Sequence, residues 1–171
     1  EAANYPTIKI CAVADRSGGL LLNDAVAVDR LLAHKESGQN IAHFSPLDTI
    51  QDCPEFVSAL RGAGISYLIE SLPTNIADGQ PALELITRAL EQGLHVVTVD
   101  KGPLVHGFGE LQAAAQRSGA RFGFSGTTGV SIPDELRGDR VLEIRGVLNG
   151  TTNHILSEMQ GRAIPFVRAP A

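Results

Sequence analysis

A parallel α/β sheet with helices on both faces is the fold the sequence predicts, and three observations predict it. Short apolar runs alternate with segments of helical period, the runs have the length of buried strands, and a glycine follows most of the helical segments. The chain of 171 residues is long enough for one domain with a real core, or for one domain and part of another. Its content of 43% apolar and 19% charged residues is that of a globular protein, and a formal net charge of -5 disfavours wrapping nucleic acid. No stretch approaches the roughly 20 apolar residues of a membrane span, and the start has neither a basic segment nor an apolar signal core. The expectation is a cytoplasmic protein with no membrane and no nucleic-acid partner. Cys11 and Cys53 lack CxxC spacing and neighbouring histidines, so both are expected to be packing residues.

The elements follow in order. Ile8 to Ala14 is a short apolar run of the kind that makes a buried parallel strand. From Asp24 to Lys35, Val28, Leu31 and Leu32 share one helical face, with Gly38 placed as a left-handed cap. Pro54 to Arg61 reads as a second helix with Phe56, Val57 and Leu60 inward, and Ile65 to Glu70 as the next strand. Gly79 to Gln92 is the clearest helix: Asp78 can cap it, Pro81 suits its first turn, and Leu83, Ile86, Ala89 and Leu90 recur at helical spacing. His95 to Val99 is a strand, Glu110 to Arg117 a helix closed by Gly119, and Arg121 to Phe124 a further strand. Beyond Pro133 the pattern changes to alternation, with Leu142, Ile144 and Leu148 apolar and Glu143 and Arg145 charged, which fits a half-exposed antiparallel strand. A boundary is expected near Gly129 to Pro133, separating residues 1–130 from residues 131–171. Both ends of the chain read as cuts.

Five segments carry candidate chemistry. Asp15-Arg16-Ser17-Gly18-Gly19 stands at the carboxyl end of the first apolar run, where open α/β sheets bind ligands. Asp15 there can accept the ribose hydroxyls of an adenosine, and Arg16 can pair with a 2′-phosphate toward which Lys35 could fold back; a turn with solvated charges is the plain alternative. The Gly-rich pyrophosphate turn of a Rossmann domain should stand about twenty residues ahead of Asp15 and is absent, so the first strand of that fold is expected to be missing. Gly107-Phe108-Gly109 imitates that turn, but it lacks the third glycine and does not adjoin a strand, so it reads as a helix entry. Thr74 and Asn75, in Leu72-Pro73-Thr74-Asn75, follow a strand and can touch a cofactor or simply make a turn. Lys101, in Val99-Asp100-Lys101-Gly102-Pro103, is held at a strand end, where a lysine can take the proton of an alcohol as hydride leaves or hold its oxygen. Ser125 to Pro133 is a small-residue loop suited to close approach of a ring or an ion, with Gly126 and Thr127 as candidate cofactor contacts. Asn149-Gly150-Thr151-Thr152-Asn153 can cap the helix it enters and can also bind a polar substrate.

In this order and spacing these stretches resemble homoserine dehydrogenase, from about Ile10 to Met159. Pro73-Thr74-Asn75-Ile76 with Gly79 and Pro81, Gly93 to Thr98 running into Asp100 to Leu104, and Gly146 to Asn153 with Ile155-Leu156 carry the resemblance. It implies an enzyme with a Rossmann-type domain followed by the start of an α+β catalytic domain. That enzyme interconverts L-homoserine and L-aspartate 4-semialdehyde with NAD or NADP, and is a homodimer at full length. It implies further that Lys101 is the active-site lysine beside the nicotinamide, that Thr74 and Asn75 are cofactor contacts, and that Gly150 and Thr151 are substrate contacts. Arg16 and Lys35 resemble the basic pair that favours NADP.

The sequence departs from the family in places. The Gly-rich loop is absent, and so is the later segment of substrate-binding acids and a second lysine. Ser125 stands where the family has a glutamate of a monovalent-cation site, whose remaining ligands would be carbonyls near Thr128, Val130 and Ile132. These 171 residues alone are therefore expected to be inactive. The alternative is a short paralogue that binds a nucleotide or a partner protein without turnover; a dehydrogenase of another aldehyde is disfavoured by the Asn149 to Asn153 segment.

Overall fold

The computed structural model describes residues 8–22, 25–127 and 149–168, with 142, 143, 145 and 146 between them. It divides into two compact units, Glu1–Thr127 and Thr128–Ala171.

In the first unit three strands, β3 (Tyr67–Glu70), β4 (His95–Thr98) and β5 (Phe122–Gly123), form a parallel sheet in the order β3-β4-β5. Leu68 pairs with Val96, and Val96 with Phe122, which sets these three on one face. Helices α3 (Cys53–Gly62), α4 (Ala82–Glu91) and α5 (Gly102–Ser118) build the core there: Phe56, Val57, Leu60, Ile86, Ala89, Leu90, Leu94, Val96, Leu111 and Ala114 are almost fully buried. Each large apolar side chain so buried contributes roughly 1.5–3 kcal/mol. On the opposite face Tyr67, Ile69, Val97 and Val99 are exposed.

The Ile8–Ala14 run departs from expectation. Ile8 and Ile10 are exposed. Strand β1 (Ala12–Asp15) pairs antiparallel with β2 (Gly18–Leu21), so the segment is one arm of a hairpin rather than a buried parallel strand. The reason lies in Gly18-Gly19. Gly18 has φ +132°, where a Cβ would stand 2.6 Å from Thr49 Cγ2, and a Cβ on Gly19 would lie 2.3 Å from the Phe56 ring. Two glycines thus let the chain double back and settle on α3, and Gly19 exchanges both backbone hydrogen bonds with Ile50. Leu20 and Leu22 join Leu31 of α1 (Ala25–Glu36) and Ile41 of α2 (Ile41–Phe44) in a second cluster. Leu32, expected inward, is 57% exposed because the stripe of α1 narrows to Val28 and Leu31. Gly38 has φ +82° and ends α1 as a left-handed cap.

Two helix starts also differ. Asp78 does not cap α4; its Oδ1 accepts from Gln80 N and Asn75 Nδ2, and Gln80 Oε1 accepts from Glu84 N instead. Helix α5 begins at Gly102, well before the expected Glu110. Pro103 sits in its first turn, where no N–H is needed, and the backbone kinks at Gly107 (φ -141°, ψ 18°). A Cβ at Gly107 would stand 2.5 Å from Leu83 Cδ1, so this glycine admits the close approach of α4 to α5.

In the second unit α6 (Gly150–Arg162) is capped by Asn149, whose Oδ1 accepts from Thr152 N at 2.9 Å. A short 3-10 turn follows at Phe166–Arg168. The expected strand around Leu142 to Leu148 lies largely outside the described residues, as does Gly129 to Pro133. Among the described residues no helix is long and apolar enough to cross a membrane.

Candidate functional site

The carboxyl end of β1 and the loop after β3 meet in one cleft. It encloses about 580 Å³ and is lined by Asp15, Arg16, Lys35, Asn40, His43, Leu72 and Pro73, among others. Asp15 ends β1 because its side chain organises the turn: Oδ1 accepts from Ser17 N at 2.8 Å and Ser17 Oγ at 2.6 Å. Its Oδ2 accepts from Lys35 Nζ at 2.5 Å and from Ile41 N at 3.1 Å. Burial pushes the Asp15 carboxyl up, but the hydrogen bonds from Lys35, Ser17 and Ile41 outweigh it and hold the group well below the usual carboxylate range. An ionised carboxylate offers about four acceptor positions, and the chain itself occupies them. Lys35 has folded back from the end of α1 onto Asp15, while Arg16 is exposed and has no ion pair among the described residues. The loop behind them is braced by His34, whose Nε2 lies 2.9 Å from Asn40 O and whose ring meets Phe44 edge-on.

A second group of loops gathers at the carboxyl ends of β3, β4 and β5. Lys101 is the N-cap of α5; it is exposed and forms no ion pair among the described residues. Gly102 is pressed against the loop after β3, since a Cβ there would stand 2.7 Å from Asn75 O. Gly79, at φ +73°, returns the contact: its Cβ would stand 3.0 Å from Gly102 O. His106 Nε2 lies 2.9 Å from Ile76 O. The Asn75 side chain is spent within its own loop, donating to Asp78 Oδ1 and Gln80 O and accepting from Ala77 N. Thr74 is exposed and makes no side-chain hydrogen bond among the described residues. Gly126 and Thr127 lie in a 3-10 turn just after β5; Thr127 is buried, with its amide and hydroxyl both on Phe124 O. A Cβ on Gly126 would meet Val99 Cγ1 at 2.9 Å, which draws the β5 loop against the end of β4.

Gly150 and Thr151 form the exposed first turn of α6 in the second unit. Thr128, Val130 and Ile132 lie outside the described residues, and among the described residues no group of three or more His, Cys, Asp or Glu could hold a metal ion. Cys11 and Cys53 are free thiols, and burial pushes the Cys53 thiol up, away from reactivity.

The homoserine dehydrogenase family model matches residues 130–169. A homoserine dehydrogenase of Methanocaldococcus jannaschii is 29% identical over 172 residues, covering 97% of this chain and 50% of that protein. An NAD(+)-dependent homoserine dehydrogenase of Pseudomonas canavaninivorans is 33% identical, covering 91% of this chain and 45% of that protein. A solved structure from Archaeoglobus fulgidus, assigned as a homoserine dehydrogenase, superposes with a TM-score of 0.65 at 30% identity over 94% of this chain and 47% of that one. By sequence and fold, this chain is similar to homoserine dehydrogenases. It spans about half the length of the curated relatives it matches.

The cleft also includes residues that the sequence pattern did not single out. Asn40 and His43 line it because Ile41, fully buried, anchors α2 beside the β1 turn. No periodicity marks them; only the Gly38 cap, which ends α1 next to Asp15, could have pointed there.

Proposed function

We propose that this chain supplies the cofactor-binding part of a homoserine dehydrogenase, which interconverts L-homoserine and L-aspartate 4-semialdehyde with NAD or NADP. The observation that carries the reading is one cleft uniting Asp15, Arg16 and Lys35 with Leu72 and Pro73, which are distant in the chain, beside a parallel sheet whose strand ends carry Lys101, Thr74 and Thr127. Ligands of open α/β sheets bind at such strand ends.

The residues fit a dinucleotide. Arg16 offers a guanidinium with no ion pair among the described residues to a 2′-phosphate, with Lys35 beside it, and Leu72 and Pro73 offer an apolar wall to an adenine. Asp15, already saturated, holds Lys35 and the α2 amide in place. When bound, the nicotinamide accepts or gives the hydride. Lys101, fixed at the start of α5, holds the substrate oxygen and moves its proton. Thr74 would present its hydroxyl to the cofactor, and Gly126 and Thr127 would help to hold it. Residues 1–130 then serve the cofactor and residues 131–171 open the substrate region, where Gly150 and Thr151 bind the amino acid. The gene product assembles as a homodimer in the cytoplasm.

The test is the oxidation of L-homoserine by the purified, intact gene product, followed by the absorbance of the reduced nicotinamide. Homoserine-dependent reduction of NAD or NADP is expected. Tight nucleotide binding with no turnover of homoserine would favour a binding module instead.

A further inference from the structure

A polar chain runs through the interior from the loop after β3 to the first turn of α5. Leu72 N donates to Glu70 Oε1 at 2.6 Å, and Thr98 Oγ1 donates to Glu70 Oε2 at 2.5 Å. Asp100 N donates to Thr98 Oγ1 at 3.0 Å, and Gly102 N donates to Asp100 Oδ1 at 2.9 Å. Glu70 and Asp100 are each 2% exposed and Thr98 is 0% exposed. Glu70 and Thr98 are register partners, one alternation beyond Leu68 and Val96 on the face the helices cover. The apolar face of the sheet therefore ends in two acidic side chains and a hydroxyl.

Such groups are costly to bury: a buried carboxyl left unpaired costs several kcal/mol. Among the described residues neither Glu70 nor Asp100 has an ion-pair partner, and Asp100 Oδ2 is buried without a hydrogen bond. Part of the reason for that last acceptor is local. An aspartate at a helix start can accept from the free amides of the first turn, but the second helical position of α5 is Pro103, which has no N–H. Apolar side chains would pack this position at lower cost. What the polar chain supplies that packing cannot is direction, because each bond fixes one loop relative to the next.

We propose that Glu70, Thr98 and Asp100 are positioning residues that hold the Lys101 turn and the Thr74 loop in register with one another. The proposal rests on the reading of Lys101 and Thr74 as active-site and cofactor contacts. Lys101 lies between two residues tied into the relay, Asp100 through its amide and Gly102 through its amide on Asp100 Oδ1. At the other end, Leu72 N is fastened two residues before Thr74. The contacts of Asn75 O and Gly79 with Gly102 clamp the same loops from outside the relay. Thr98 is its centre: its hydroxyl donates to Glu70 and accepts from Asp100 N.

Thr98→Val keeps the shape and removes that hydroxyl, Thr98→Ser keeps the hydroxyl and removes a methyl, and Glu70→Gln keeps the shape with one acceptor fewer. In the intact gene product, amide hydrogen exchange at Leu72 and Gly102 should rise together in Thr98→Val, by about tenfold or more, and stay near wild type in Thr98→Ser. With L-homoserine, Thr98→Val should lower kcat by about ten- to a hundredfold with KM for the cofactor changed less than about threefold, and Thr98→Ser should restore it. Glu70→Gln should raise exchange at both amides in the same way, should Thr98→Val fail to fold. Exchange that rises at Gly102 alone, or a Thr98→Ser protein as impaired as Thr98→Val, overturns the relay. The exchange measurement needs no turnover, so coupled exchange in a protein without homoserine activity would sink the functional reading and leave the relay standing.

Discussion

Two aspartates end two strands of this chain and are treated in opposite ways. Asp15, at the tip of β1, is partly exposed and accepts four hydrogen bonds from Ser17, Lys35 and Ile41. Asp100, two residues past β4, is almost fully buried, accepts one hydrogen bond, and has one oxygen without a partner among the described residues. A saturated carboxylate at the surface lowers the free energy of the folded state and has nothing left to offer a ligand. An under-satisfied one in the interior is tolerated where it orients something else. The difference predicts that changes at the first aspartate are read in stability and changes around the second in turnover.

Asp15→Asn tests the first half and has the larger expected effect. At neutral pH it should lower the free energy of unfolding by about 2 kcal/mol, the range for hydrogen bonds to a charged group. Because the folded-state carboxyl titrates below its unfolded value, the stabilisation is fully present above the unfolded pKa and is lost as pH falls toward the folded one. The gap in thermal stability between wild type and Asp15→Asn should therefore be constant near neutrality and narrow below about pH 4. A gap that widens on acidification would contradict the hydrogen-bonding account of Asp15.

Arg16→Ala sharpens the comparison from the next residue along. Arg16 is exposed and unpaired among the described residues, so thermal stability should hardly move. Binding of NADP should weaken about tenfold more than binding of NAD, the loss of one charge-assisted contact to phosphate. Equal losses for both nucleotides, read by titration, would remove the phosphate role.

Much of this arrangement is legible in the sequence, and the misses have physical causes. Helix α3, the core face of α4 and strands β3 and β4 follow from periodicity, because Phe56, Val57, Leu60, Ile86, Ala89 and Leu90 meet a core that lies close in the chain. Strand β2 is missed because Gly18-Gly19 reads as a loop, and what makes it a strand is tertiary: space for Thr49, Ile50 and Phe56. The first turns of α5 are missed because Gly102, Pro103, Gly107 and Gly109 look like breakers, whereas each glycine that matters there answers a neighbour, Asn75 for Gly102 and Leu83 for Gly107. Lys101 and Arg16 stand out in the sequence as charges at strand ends. Glu70 and Thr98 give no such signal, since a strand that closes in Glu or Thr looks the same whether the side chain meets water or a buried relay.

In the proposed site Lys101 stands beside the nicotinamide and acts on the reacting substrate, while other residues supply most of the cofactor's affinity. Lys101→Ala in the intact gene product, assayed with L-homoserine and titrated separately with the nucleotide, tests it most directly. The expected result is a fall in kcat of about a hundredfold or more, with the Kd for the nucleotide changed by less than about threefold. Turnover that survives the substitution, or a loss confined to nucleotide affinity, would contradict it.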